Sequence, residues 1–250
     1  MPTPTKWVEG TVVEQKRWTD KLFSLRVAAE IGSFEPGQHA TLALPVGGVL
    51  VTRPYSFVNA PKEQPHEFHY TLLPEGPLTA RLARLESRDV VFLAPTASGL
   101  FVLSAIPDAE KLWLLATGTG IAPYLSMLRT ETPWRRFQKV VLVHSVRHAE
   151  ERTYGDAVAE IAKEHAVQFR FVSVTSREEA AGSLPGRISD TIANGSLEKA
   201  VGLTLDPKGS QVMICGSPKT IGDIADELKP RGMRRHRRRD PGHICVENYW

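Results

Sequence analysis

The sequence predicts a two-part β + α/β fold. An antiparallel β-barrel occupies residues 1–103, and a five-stranded parallel α/β domain occupies residues 104–250. Three observations carry this. Residues 7–103 hold short apolar alternations punctuated by glycine and proline, as strands joined by tight turns require. From Lys111 onward, continuous apolar runs alternate with helical spacings, the pattern of a parallel sheet covered on both faces. Between them Ser104-Ala105-Ile106-Pro107-Asp108 makes a short polar step that carries a proline.

In the first part, Val8, Val12 and Val13 begin a strand, and Leu22, Phe23, Leu25 and Val27 make the next. Residues 41–44 lie between Gly37 and the turn Pro45-Val46-Gly47-Gly48. Phe68, Tyr70 and Leu72 alternate with polar partners, as a half-buried strand does. Leu78, Leu82 and Leu85 fall at helical spacing behind Gly76-Pro77. Residues 90–93 and 100–103 are the remaining expected strands.

In the second part, residues 112–115 form a buried run followed by a glycine turn and a helix over 122–128. Residues 140–143 and 169–174 are the next two runs, separated by a helix containing Val158, Ile161 and Ala162. A helical stretch near 187–200 precedes the run 211–215. Ile221, Ile224, Ala225 and Leu228 have the i, i+3, i+4, i+7 spacing of an amphipathic helix. Residues 244–246 are the fifth strand.

Composition narrows the function classes. Hydrophobic content of 42% and charged content of 24% are ordinary for a globular protein. A net charge of +3 argues against a nucleic-acid-coating surface, so the basicity is local. Two cysteines, Cys215 and Cys245, exclude a disulfide framework and a four-cysteine zinc or iron–sulfur site within the chain. No metal site is expected. Met1-Pro2-Thr3-Pro4-Thr5-Lys6 is polar and proline-broken, unlike a signal peptide. No run approaches the ~20 apolar residues of a membrane span. A cytoplasmic, soluble monomer without a membrane partner is expected.

Arg53-Pro54-Tyr55-Ser56 is the first motif with chemical content. Arg53 can clasp a phosphate bidentately, and Pro54 holds the backbone extended. On a strand Arg53 and Tyr55 project to one side. The pair offers charge for a pyrophosphate and a flat ring for a flat partner, as a flavin needs. Ser56 points away from that pair and reaches a ring edge only through a bend or twist. The plain alternative is a surface Arg–Tyr pair. Gly76-Pro77-Leu78-Thr79 follows, where Gly76 permits close backbone approach and a helix start offers N–H groups to phosphate.

Gly118-Thr119-Gly120 follows a buried strand and opens a helix, the context for a dinucleotide phosphate. It is not the G-x-G-x-x-G form, because Pro123 stands at the third glycine. Arg147 and Arg177 follow two strands whose C-terminal ends share one sheet edge, and Arg187 lies ten residues on. They can read a 2′-phosphate, or each can simply solvate a loop. The acidic residue typical of NAD sites is absent from the end of the 140–143 strand. Cys215 ends a strand, where a buried inert thiol is the alternative to a functional one. The last residues, Glu247-Asn248-Tyr249-Trp250, combine a carboxylate with two aromatics. They either cover something flat or seal the core.

Taken together, Arg53-x-Tyr55-Ser56, Ala116-Thr117-Gly118-Thr119-Gly120-Ile121-Ala122-Pro123 and the C-terminal Tyr249-Trp250 resemble the plant- and bacterial-type ferredoxin–NADP reductase family. The resemblance implies an FAD-binding barrel and an NADP-binding α/β domain. It implies FAD held by Arg53, Pro54, Tyr55 and Ser56, with Tyr55 on the isoalloxazine and Ser56 near N5. Gly76, Pro77, Leu78 and Thr79 would hold the pyrophosphate, and Tyr70 completes that bed. Thr117 would face flavin and nicotinamide. Gly118, Thr119, Gly120, Arg147, Arg177 and Arg187 would bind NADP. Ser56, Cys215 and Glu247 would stand at the reacting centre, and Tyr249 and Trp250 would cover FAD. The implied activity moves a hydride from NADPH to FAD and single electrons onward to ferredoxin or flavodoxin.

The basic cluster Arg231, Arg234, Arg235, Arg237, Arg238 and Arg239 would steer such acidic carriers. Two other functions remain as expectations. One is a reductase serving an oxygenase or haem protein. The other is a basic nucleic-acid-binding module, disfavoured because the cluster is short and lacks interleaved aromatics.

Overall fold

A computed structural model of the chain describes residues 7–249. Its first part contains β1 (Val8–Arg17), β2 (Leu22–Ala28), β3 (His39–Val46), β4 (Val49–Ser56), β5 (His66–Thr71) and β6 (Val90–Leu93). They form one six-stranded sheet in the order β4-β3-β6-β1-β2-β5, antiparallel at every pairing. A bridge between Phe57 and Phe68 joins the two edge strands. Beside it the Val58 N–H donates to Glu67 O at 2.9 Å. The sheet thus closes as a barrel around Leu25, Leu42, Phe57, Phe68 and Leu93.

Two expectations about this part need correction. Residues 100–103 form no strand; Leu103–Ala105 is a single 3-10 turn. The carbonyls of Leu103 and Ile106 accept from the Arg136 guanidinium instead of a ladder partner. The sixth strand is β4, which carries the Arg53 motif. The helix behind Gly76-Pro77 is also short: α1 covers only Thr79–Leu82.

The second part contains β7 (Lys111–Thr117), β8 (Lys139–Val146), β9 (Phe169–Thr175), β10 (Ser183–Pro185), β11 (Ser210–Gly216) and β12 (Ile244–Asn248). Their order is β10-β9-β8-β7-β11-β12, and all neighbours are parallel. The sheet has six strands where five were expected. The added one, β10, has three residues and no apolar run.

The helices are α2 (Ala122–Leu128), α3 (Thr132–Arg136), α4 (Gly155–Glu164), α5 (Ile188–Ala193), α6 (Ser196–Val201) and α7 (Pro218–Leu228). Period-two alternation sends Leu112, Leu114 and Leu142 to the side packed by α2 and α4. Trp113, Leu115 and Val143 go to the side packed by α5, α6 and α7. The helical stretch 187–200 is two helices, because Gly195 turns the chain through φ +75°.

The parallel order reverses at β7. β8 and β9 continue to one side, β11 and β12 to the other. The crevice beyond the C-terminal ends of β7 and β11 is therefore the switch point where such sheets take ligands. The barrel abuts this end. Val58, Phe101 and Leu103 share one buried cluster with Ile121 and Leu125. A polar seam reinforces the joint: Tyr154 donates to Glu67 Oε1 at 2.7 Å, and Ser24 bonds Tyr154 at 2.6 Å. Trp18 Nε1–H donates to Ser24 Oγ at 2.7 Å.

Candidate functional site

Thr117 ends β7, and the chain turns through a 3-10 segment, Gly118–Ile121, into α2. Gly118 has φ +52°, a left-handed conformation that suits glycine. Gly120 is required for space: a Cβ there would lie 2.6 Å from the Cys215 carbonyl oxygen and 3.0 Å from the Tyr249 ring. His144 Nε2–H donates to the Gly118 carbonyl at 2.9 Å. Burial pushes that imidazole down to about 4, so it is a neutral donor.

β11 and β12 bring the next groups. Cys215 pairs in register with Ala116 on one side and Glu247 on the other. Burial drives the Cys215 thiol well above its ordinary range, so it is a neutral packing group. Burial likewise raises Glu247 to about 7, opposed by the nearby Ser56 hydroxyl. Ser56 is the last residue of β4. The end of β4 therefore lies beside β12.

Tyr249 closes the crevice. Its hydroxyl donates to Thr117 O, and Thr117 Oγ1 bonds that hydroxyl at 2.9 Å. Its N–H donates to Gly216 O at 3.2 Å. Burial pushes the phenol up to about 12.

On the barrel, Arg53 is exposed, and among the described residues its guanidinium bonds only the neighbouring Thr52 carbonyl, at 2.8 Å. Pro54 is exposed beside it. Tyr55 is half-buried and stands edge-on to Tyr70, centroids 6.1 Å apart. Tyr70 is buried, and its hydroxyl donates to Gln15 Oε1 at 2.9 Å. It backs Tyr55 and offers no open ring face, a correction to its expected place in the bed. Leu78 is likewise a core residue, so only its backbone can serve a ligand. Thr79 Oγ1 bonds both the N–H and the carbonyl of Leu73 at 3.1 Å, closing a loop around Gly76 and Pro77. Trp250 lies outside the described residues.

The arginines divide into groups. Arg147 and Arg177 are exposed and adjacent, because the Arg177 N–H donates to Arg147 O at 3.0 Å. Arg187 precedes α5 and lies 3.9 Å from Asp223 on α7. Arg231 does not belong to the exposed basic cluster. It is tied to Glu198 at 2.8 Å and to the Ile192 carbonyl at 2.8 Å, a structural clamp. Arg234 pairs with Asp240. Arg235, Arg237, Arg238 and Arg239 are exposed, with no acidic side-chain partner among the described residues. Arg235, Arg237, Arg238 and Leu100 line a cleft of about 420 Å³ whose floor includes Cys245 and Glu247.

Residues 114–226 match the family model described as the oxidoreductase NAD-binding domain. The switch-point crevice, capped by a barrel, thus defines the class as a two-part NAD-domain oxidoreductase. Flavodoxin/ferredoxin–NADP reductases of Shigella flexneri and Escherichia coli K12 are each 44% identical over 245 residues, covering 98% of this chain and 99% of each relative. A solved ferredoxin NADP+ reductase from Neisseria gonorrhoeae, with bound FAD and NADP, superposes with a TM-score of 0.93 at 34% identity, covering 98% and 99% of the two chains. The chain belongs to the flavodoxin/ferredoxin–NADP reductase family.

Sequence reasoning missed His144, Tyr154 and Glu178. His144 sits within an apolar run, where a lone histidine reads as core. Tyr154 adopts φ +59°, which nothing local announces. Glu178 follows Arg177 as an ordinary loop carboxylate. Only the fold shows what each touches.

Proposed function

We propose that this protein is a flavin-dependent oxidoreductase exchanging electrons between NADP(H) and ferredoxin or flavodoxin. The single observation that supports the site assignment is the bond between Thr117 Oγ1 and the Tyr249 hydroxyl at 2.9 Å, with Glu247 on the adjoining strand near the Ser56 hydroxyl of the barrel. A barrel edge, a glycine turn and a titratable carboxyl close to one crevice support this reading.

The residues fit FAD and NADP. Arg53 has its guanidinium available for phosphate, and Tyr55 is a supported flat ring. Gly76 cannot carry a side chain without displacement: a Cβ would lie 2.5 Å from Thr79 Oγ1. Gly216 is similarly crowded, 2.7 Å from Thr117 Oγ1. Neither position can hold a side chain without displacing a neighbour. Bound FAD supplies the conversion of hydride transfer at N5 into single-electron release.

The chain's own residues position and tune. Arg53, Gly76, Pro77, Leu78 and Thr79 hold the FAD pyrophosphate side. Tyr55 supports the ring. Gly118, Thr119 and Gly120 receive the NADP pyrophosphate, and Arg147, Arg177 and Arg187 its 2′-phosphate. Ser56 and Glu247 hold or pass a proton near neutral pH. Cys215 shapes the nicotinamide floor as a neutral group, and Tyr249 covers the crevice until nicotinamide enters. Residues 1–103 and 104–250 are the two domains.

Arg235, Arg237, Arg238 and Arg239 attract the acidic electron carrier. The protein acts as a cytoplasmic monomer without nucleic-acid or membrane partners. Among the described residues no helix is long and apolar enough to cross a membrane.

Cytochrome c reduction by NADPH, with ferredoxin or flavodoxin added in turn, tests this function. Carrier-dependent reduction is expected. No stimulation by either carrier contradicts it and favours a reductase for a different acceptor.

A further inference from the structure

Two loops at the open edge of the sheet carry Arg147 and Arg177. Backbone bonds join their bases: the Ser176 N–H donates to Val146 O and the Arg177 N–H to Arg147 O, both at 3.0 Å. Beyond these bonds, Glu178 on the second loop bonds the first. Its Oε1 accepts the Ala149 N–H at 2.6 Å, and its Oε2 meets His148 Nδ1 at 3.2 Å. From within the first loop, Glu151 Oε2 accepts the Arg147 N–H at 2.9 Å.

A carboxylate beside a phosphate-reading pair is costly if it acts only through its charge. Glu178 is placed otherwise. Both its oxygens are directed at the opposite loop, and its side-chain contact is His148, not either arginine. The Ala149 N–H, first among the causes, holds its carboxyl below the ordinary range.

We propose that Glu178 is a positioning residue that clasps the Ala149 loop to the Arg177 loop and thereby sets the preference for NADPH over NADH. It rests on the 2′-phosphate assignment above. Glu178 touches neither coenzyme. It fixes the separation at which two guanidiniums engage one phosphate, and a fixed fork loses less freedom on binding than two free loops.

Charge and clasp predict opposite signs. If Glu178 matters only as a negative charge, its removal improves NADPH binding. If it is a clasp, removal weakens NADPH binding and leaves NADH alone. The test measures kcat and KM for both coenzymes in the FAD-loaded wild type, Glu178→Ala, Glu178→Gln and Arg147→Ala.

The expected result for Glu178→Ala is a fall of about five- to thirtyfold in the NADPH/NADH ratio of kcat/KM. The fall lies in the KM for NADPH. The NADH constants and flavin content stay near wild type and show that the variant is folded. Glu178→Gln keeps an acceptor for the Ala149 N–H and retains most of the ratio.

A ratio that rises or is unchanged in Glu178→Ala overturns the clasp. If Arg147→Ala lowers the ratio and Glu178→Ala does not, the clasp fails alone. If Arg147→Ala leaves the ratio unchanged, or the wild type has no preference, the 2′-phosphate assignment fails and the clasp with it.

Discussion

Glu247 holds its proton to about pH 7 because burial disfavours its charge, and the Ser56 hydroxyl only partly offsets this. The fold thus binds this proton more tightly than the unfolded chain does. Stability from this group is greatest below the ordinary carboxylate range. It falls as pH rises through about 7 and is constant above. Glu247→Gln removes the dependence. Its melting temperature should match wild type near pH 4.5 and exceed it above pH 7, as a thermal-shift series across pH would read.

Gly120 is tied to the same crevice by space. Gly120→Ala forces a methyl against the Cys215 carbonyl, so a loss of about 1–3 kcal/mol in unfolding free energy is expected, with weaker NADPH binding. Arg147→Ala or Arg177→Ala should lose about 1.5–3 kcal/mol of NADPH preference, the size of a charged hydrogen bond. Comparing NADPH and NADH kinetics checks this.

Helix α7 shows how pattern becomes stability. Ile221, Ile224 and Leu228 lie on one buried face against β11 and the second core cluster. Ile224 is fully buried, and Ile224→Ala should cost about 2–5 kcal/mol in a denaturant melt. Elements of this kind were legible because burial itself writes the period into the sequence. The runs at β7, β8, β9 and β11 were found for the same reason.

β10 was not legible. Its three residues are held by pairing with β9 and by hydroxyl bonds such as Thr175–Ser183 at 2.8 Å, which leave no apolar signature. Leu100 misled in the opposite direction. It belongs to an apolar run yet is 83% exposed beside the arginine loop. At the site, Arg53, Tyr55 and the glycine turn were readable because their chemistry is local. The nearness of Ser56 to Glu247 came only through the family resemblance, since it depends on how the two sheets meet.

Across the whole molecule, the joint between barrel and parallel sheet decides whether one site exists. Tyr154 is buried at that joint, and its hydroxyl serves both Ser24 and Glu67. Tyr154→Phe removes both bonds and should cost about 1–3 kcal/mol, with a loss of cooperativity between the two halves in calorimetry. The exposed arginines of 235–239 act at longer range. Replacing Arg237 and Arg238 with glutamate should raise the KM for an acidic carrier and flatten its salt dependence, leaving NADPH-dependent ferricyanide reduction near wild type.

The central claim is a single FAD seat formed by both halves, with NADPH reaching it at the switch point of the parallel sheet. An anaerobic NADPH titration of FAD-reconstituted protein tests this most directly. Blue-region flavin absorption that bleaches with about one equivalent of NADPH is expected, since one hydride carries two electrons. Protein that retains no flavin, or whose flavin does not respond to NADPH, would contradict it.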